Sequence, residues 1–293
     1  MIFVADTKKL PVMIGYTSKS GKQLYCFLKE KEETFQFHLL RLKYSINEND
    51  IHYLRRTAKR IKVLYKLFNI IDHRFKPKKK FKPLKNIFNA AGTLRELQVN
   101  QNVLLACNAT PPLIKQYEEY ISSKKKIYTS KLQLAIAKYK HKKHKKTIKH
   151  VKEICKKVEK KKLESSISDF LKETTNQIRA LLNTEIEENN LHTIRILFKA
   201  LNPALIFSEQ LQIKGVTKEI ISIYKNIEDK LGFWHDRLIL RKSIEEMVAF
   251  GNPENTIQVE ADKLIQQLIT ENKILFDEAL EQVRSAIKKS NPS

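Results

Sequence analysis

Seven positions along this chain repeat in the same order at one constant spacing. His52 and His192 lie 140 residues apart, and the other pairs keep that offset. The pairs are His52 with His192, Arg55 with Arg195, Lys59 with Lys199, Lys85 with Lys225, Asn86 with Asn226, Gly92 with Gly232, and Glu96 with Asp236. A rare residue type, several cations, a glycine and an acid in one register indicate a duplicated helical unit.

The first part of the repeated pattern could bind an anion. In an α-helix, positions i, i+3 and i+7 point to the same side, so His52, Arg55 and Lys59 form one column of cationic side chains. The later copy repeats this column with His192, Arg195 and Lys199. Like charges this close repel each other by a few tenths of a kcal/mol per pair. An anionic ligand would relieve that repulsion.

The second part of the pattern predicts how the two columns meet. A later helix in each copy carries a stripe of a lysine, a glycine, a cation and an acid. The stripes are Lys85, Gly92, Arg95 and Glu96, and then Lys225, Gly232, His235 and Asp236. A glycine inside a helix costs about 1 kcal/mol relative to alanine, and close approach of a neighbouring helix is a common reason to keep one. We expect this approach to bring the two basic columns together.

The elements that position these residues are predicted to be helices. Apolar residues recur at helical spacing, and the chain has only 6 glycines and 8 prolines. We predict helices over 27–45, 51–71, 84–106 and from 111 onward, and then over 165–187, 190–208, 216–250 and 254–288. Residues 1–26 fit a loose arm or a weak hairpin, because Pro11, Gly15 and Gly21 interrupt them. The fold class is therefore all-α, with four helices in each half.

The segment between the halves is packed with lysine. Residues 124–162 include HKKHKK and KKVEKKK and contain neither glycine nor proline. We interpret the segment as a basic helix that extends the fourth helix, with at most one break. The predicted domains are a first half over 27–140, a lysine-rich connector over 141–164 and a second half over 165–290.

Composition narrows the class of partner. The chain has 56 Lys+Arg against 32 Asp+Glu, a formal net charge of +24, which favours a polyanion such as nucleic acid, an anionic membrane surface or inorganic polyphosphate. The three cysteines are scattered, which argues against a disulfide framework and a cysteine zinc site. No leader of signal-peptide type and no apolar run of about 20 residues is visible. We therefore expect a soluble cytoplasmic protein without membrane insertion.

The paired motifs resemble a known family. IHYLRRTAKRIKVLYKLF followed by LKNIFNAAGTLRELQV, and LHTIRILFKAL followed by YKNIEDKLGFWHD, are similar to the CHAD domain, the conserved histidine α-helical domain. The resemblance covers about residues 27–290. It implies two four-helix bundles related by a pseudo-twofold axis, which enclose a basic central groove or pore that binds inorganic polyphosphate. It also raises the expectation of a place at polyphosphate granules.

The resemblance and the basic helix faces together give the candidate binding residues. They are His52, Arg55, Arg56, Lys59, Arg60, Lys62, Lys85, Arg95, His192, Arg195, Lys199, Lys225 and His235. Glu96 and Asp236 match the family's acid, whose implied role is to orient a neighbouring Arg or His. The chain departs from the family where an Arg-Tyr pair is replaced by Asn202 and Pro203, and where Glu96 replaces the usual Asp. We therefore expect the second half to bind more weakly than the first.

Several alternatives stand beside this reading. The main one is an RNA- or DNA-binding basic helical protein, because charge alone does not distinguish phosphate polymers. We expect no enzymatic activity, cofactor or metal, since no nucleophile and base pair or acidic metal cluster is visible. His38, His73 and His150 are expected to cap or pack, and Trp234 to lie in the core. His141 and His144 have metal-compatible spacing but no third ligand nearby.

Overall fold

The chain folds into helices alone in the part that the structure describes. The computed structural model describes residues 15–251 and 253–289, and these contain nine α-helices and no strand. The helices are α1 (Lys19–Tyr44), α2 (Glu48–Ile71), α3 (Pro77–Ala106), α4 (Pro111–Ala137), α5 (His141–Lys157), α6 (Lys160–Leu182), α7 (Glu188–Gln210), α8 (Lys218–Gly251) and α9 (Asn255–Lys289). The all-α prediction is confirmed. Throughout these ranges, every helix lacks the length of apolar sequence that a bilayer crossing needs.

The first helix begins earlier than predicted. Residues 1–14 lie outside the described residues, and α1 starts at Lys19. The predicted arm over residues 1–26 is therefore wrong for residues 19–26, which are helical. The Ser18 side chain caps the helix by accepting from the Gly21 backbone N–H at 3.0 Å. A Cβ on Gly21 would lie 2.3 Å from the Cys155 carbonyl oxygen. This glycine therefore permits a close approach between α1 and α5, where the sequence suggested a turn.

The lysine-rich segment has two breaks where at most one was predicted. The chain leaves the helical path between α4 and α5 and again between α5 and α6, and α6 starts at Lys160, five residues before the predicted helix over 165–187. Helix α5 packs against α1 and α3 through a buried face. The segment that was predicted to be a connector therefore contains a helix that belongs to the core. That face is made of His144, Thr147, Val151, Ile154 and Cys155. His144 Nε2 meets the buried Glu32 carboxylate of α1, so this histidine packs α5 onto α1.

Three further expectations concern the start of the third helix and the residues Trp234 and His38. The third helix starts at Pro77, seven residues before the predicted start, and it continues through Pro83. Pro77 fits the first helical turn, where its missing N–H has no intrahelical partner. Trp234 is 1% exposed, which confirms that it belongs to the core. His38 lies between Asp50, at 2.6 Å, and the ring of Tyr53, so it packs the α1–α2 corner as expected.

The hydrophobic core joins the two halves. One cluster is built mainly from α1, α2, α3, α5 and α6, and it includes Phe207 of α7. Another cluster is built from residues of α6, α7, α8 and α9. A third combines Leu97 of α3 and Tyr117 of α4 with Leu240 of α8 and Leu268 of α9. Shared burial of this kind fixes α2 beside α7 and α3 beside α8. These are the four helices that carry the repeated polar motif.

Candidate anion-binding cavity

A cavity of about 660 Å³ opens where α2, α3, α7 and α8 meet. Both copies of the repeated motif contribute to its wall. Twelve of the fifteen predicted residues line it, namely His52, Arg55, Arg56, Lys59, Arg60, Arg95, Glu96, Arg195, Lys199, Lys225, His235 and Asp236. The duplication seen in the sequence therefore converges on one space, and five of the six residues of the two columns line it.

Three predicted residues do not line the cavity. Lys62 and Lys85 are exposed on the outside of α2 and α3. The Lys62 ammonium lies 6.0 Å from the centre of the Phe81 ring and 5.9 Å from that of Phe88, which holds it outside the cavity. His192 stacks on His235 with ring centroids 5.0 Å apart. It therefore supports a cavity residue without lining the cavity itself.

The cavity carries a large surplus of positive charge. Eight lysines and arginines and three carboxylates line it, which leaves a formal surplus of five positive charges among the lining residues, besides two histidines. Burial lowers the pKa of Lys59 to about 8, helped by repulsion from Arg55 and Arg195. Burial also lowers the pKa of Lys199 to about 7, helped by repulsion from Lys59 and Arg195. The two lysines thus hold their protons weakly because burial and neighbouring cations outweigh the nearby carboxylates.

Arg55 is held in place by α3. Its Nη1 donates to the Phe88 carbonyl oxygen at 2.8 Å, and its guanidinium carbon lies 4.8 Å from the centre of the Phe88 ring. A Cβ on Gly92 would lie 2.2 Å from the same Nη1. Gly92 therefore makes room for an arginine side chain. Gly232 has nothing within 4 Å of its would-be Cβ, so the expected close approach is wrong for the second copy.

Arg195 has a different setting in the second copy. The Arg195 Nη2 lies 3.6 Å from Asp236 Oδ1, and the same carboxylate oxygen lies 3.4 Å from His235 Nδ1. Asp236 thus stands where an orienting acid would act on both side chains. Burial raises the pKa of Glu96, and the charge of Asp236 adds to that rise while Arg55 opposes it. The acids of the two copies therefore influence each other within the same cavity.

The cavity also contains polar residues that sequence reasoning missed. Glu228 lines it and its carboxylate accepts a hydrogen bond from the side-chain amide of Asn202, which is 4% exposed. The charge of Glu228 acts on Lys59 and Lys199 by raising their pKa values against the effect of burial. Glu228 follows Lys225 by three positions and so continues the α8 stripe. Extending that stripe would have found it.

Comparison with known proteins establishes the family. The CHAD domain family model matches residues 33–245, and the chain belongs to that family. The crystal structure of the CHAD domain from the plant Ricinus communis is similar, with a TM-score of 0.64 and 12% identity over 96% of this chain and 95% of that one. PptA from Streptomyces chartreusis is similar with a TM-score of 0.64 and 14% identity over 92% of this chain and 100% of that one. No curated protein matches the sequence.

The two glycines give a matched pair of substitutions. We expect Gly232→Ala to raise the free energy of unfolding by about 1 kcal/mol, because alanine is the better helix former and the space is open. Gly92→Ala should lack this gain, because Arg55 must leave its hydrogen bond to the Phe88 carbonyl. Urea unfolding of both variants measures the difference. Equal gains in stability would show that Gly92 does not accommodate Arg55.

Proposed function

We propose that this protein binds inorganic polyphosphate in the cavity between α2, α3, α7 and α8. The observation that carries the proposal is the surplus of five positive charges in one cavity built from both copies of the motif. Membership of the CHAD family supports it, because the resemblance implies a basic pore for this ligand. The implied pseudo-twofold relation between the halves, α1–α4 and α6–α9, belongs to the same proposal.

The chemistry of the cavity suits a chain of phosphates. Polyphosphate offers closely spaced anionic oxygens and no base edges, so charge density and shape are the features a protein can recognise. Arg55 and Arg195 can bind phosphate oxygens in pairs through planar guanidinium groups, while Lys59 and Lys199 act as point charges. A bound polyanion would raise the lowered pKa values of both lysines and keep them protonated. Ligand binding thus relieves the repulsion among these cationic side chains.

We also propose that binding is not accompanied by catalysis. Among the described residues that line the cavity, the carboxylates lie beside cations and an amide, with Asp236 near Arg195 and Glu228 bonded to Asn202. That arrangement positions cations, whereas catalysis calls for a nucleophile held by a base. The cellular setting that fits is the cytoplasm, at polyphosphate granules.

Competition between phosphate polymers tests the proposal against the nucleic-acid alternative. We expect unlabelled long-chain polyphosphate to displace labelled polyphosphate at physiological salt at concentrations at least tenfold lower, per phosphate, than tRNA or duplex DNA require. The reason is that a duplex is too wide to place its phosphates inside the cavity. Fluorescence anisotropy of the labelled polymer measures displacement. Equal competition by tRNA per phosphate would contradict a polyphosphate-specific site.

The two copies of the repeated motif should contribute unequally to polyphosphate affinity. Replacing Arg55 and Lys59 with alanine should weaken polyphosphate binding by about tenfold or more, about 1.4 kcal/mol, and by more than replacing Arg195 and Lys199. In the second copy Asp236 already neutralises part of the charge of Arg195, and Lys199 has the lower pKa.

Titration calorimetry near pH 7.5 measures both double variants. Lys62→Ala with Lys85→Ala is the matched control, because these lysines lie outside the cavity and should change affinity least. Equal losses from the two copies would contradict the predicted asymmetry. If the control variant lost as much affinity as the Arg55→Ala, Lys59→Ala variant, the assignment of the site would be contradicted.

A further inference from the structure

Helix α1 exposes an apolar stripe that the polyphosphate cavity does not use. Phe37 is 56% exposed, Leu40 is 52% exposed and Tyr44 is 85% exposed. They occupy positions i, i+3 and i+7, so they project from one side of the helix. Single exposed apolar residues are ordinary, but a row of three large ones indicates a surface that another molecule covers.

A groove between α1 and α5 runs beside this stripe. Its volume is about 630 Å³, and Tyr25, Phe37 and Leu40 of α1 face Ile148 of α5 across it. The half-buried positions of Tyr25 and Ile148 make the floor of the groove apolar. Below the floor, the buried contact between Glu32 and His144 joins the two helices. The groove is therefore formed by two helices that pack against each other.

One rim of the groove is strongly basic. Lys145, Lys149 and Lys152 of α5 line it at positions i, i+4 and i+7, which places them in a row along the groove. On the α1 side the groove contains Glu32, which is bonded to His144, and Glu33, whose carboxylate lies 3.3 Å from Lys29, so its two carboxylates are outnumbered by three lysines. The net charge of the groove lining is thus positive, and its positive side is continuous with the exposed α5 face.

We propose that this groove binds an acidic amphipathic helix from a partner protein. An apolar row and a parallel row of lysines, both at helical spacing, match a helix that carries apolar residues at i, i+3 or i+4 and i+7 with acidic residues along one flank. Charge complementarity identifies the partner as acidic. A second copy of this chain is a poor occupant, because each copy carries a net charge of +24. A groove bounded by two helices suits a third helix better than a flat lipid surface.

A peptide selection tests this docking site. The full chain is used to select from a random library of peptides of about 16 residues, roughly four helical turns. The double variant Phe37→Ser, Leu40→Ser serves for counter-selection. We expect enrichment of acidic peptides with apolar residues at helical spacing. The best peptide should bind the double variant and Lys149→Glu at least tenfold more weakly than the unaltered chain, measured by fluorescence anisotropy.

Matched control variants distinguish peptide binding in this groove from nonspecific apolar or electrostatic binding elsewhere on the surface. Phe233→Ser removes an equally exposed apolar residue, 57% exposed, from α8, and Lys263→Glu reverses an exposed charge on α9. Both controls should bind the peptide as the unaltered chain does. All four variants change exposed residues, and thermal unfolding checks that each is folded. Polyphosphate affinity should be unchanged in the double variant, because the groove is separate from the cavity.

Four results would overturn the proposal. The first three are no enrichment of any peptide, enrichment of peptides without the acidic amphipathic pattern, and equal peptide binding by the groove variants and the control variants. The fourth is binding of lipid vesicles through the groove in place of peptides. If vesicles containing phosphatidylglycerol, but not phosphatidylcholine vesicles, bind the chain through Phe37 and Leu40 while selected peptides do not, the groove is a lipid-binding surface.

Discussion

Repulsion between lysines from the two halves is the constraint on which the rest of the structure depends. Lys59 of α2 and Lys199 of α7 line the same cavity, partly removed from water, together with Arg55 and Arg195. Burial makes each positive charge unfavourable, and the neighbouring cations add to that cost. The lowered pKa values of about 8 and about 7 express the cost directly. Folding must hold these groups together despite it.

The cores and the cavity acids provide the opposing free energy. The cluster of Leu97, Tyr117, Leu240 and Leu268 buries apolar surface across the boundary between the halves and so keeps α3 and α8 adjacent. Inside the cavity, Glu228 and Asp236 offset part of the charge on the lysines. The compensation is incomplete, since the lysines and arginines that line the cavity outnumber its carboxylates by five. A polyanion that completes it would stabilise the fold and be bound by the same interactions.

How far the sequence predicted this arrangement depends on which interactions are local. The 140-residue repeat placed His52 and Arg195 on matching helix faces, and these faces do meet in the cavity. Helix α5 was missed as a separate core element because its surface lysines hide the spacing of His144 and Val151. The roles of Gly21 and Gly92 depend on the Cys155 carbonyl and the Arg55 guanidinium. These contacts arise only from tertiary packing, so the sequence indicated a close approach at Gly92 without showing which group approaches it.

A double-mutant cycle on Lys59 and Lys199 tests most directly whether both copies bind one ligand in one cavity. Polyphosphate affinity is measured for Lys59→Ala, Lys199→Ala and the double variant near pH 7.5. Removing one lysine relieves repulsion on the other, so each single loss is partly compensated. The double variant should therefore lose more binding free energy than the two single variants together, by at least about 0.5 kcal/mol. Losses that add within about 0.3 kcal/mol would mean that the two columns bind independently, contrary to a shared site.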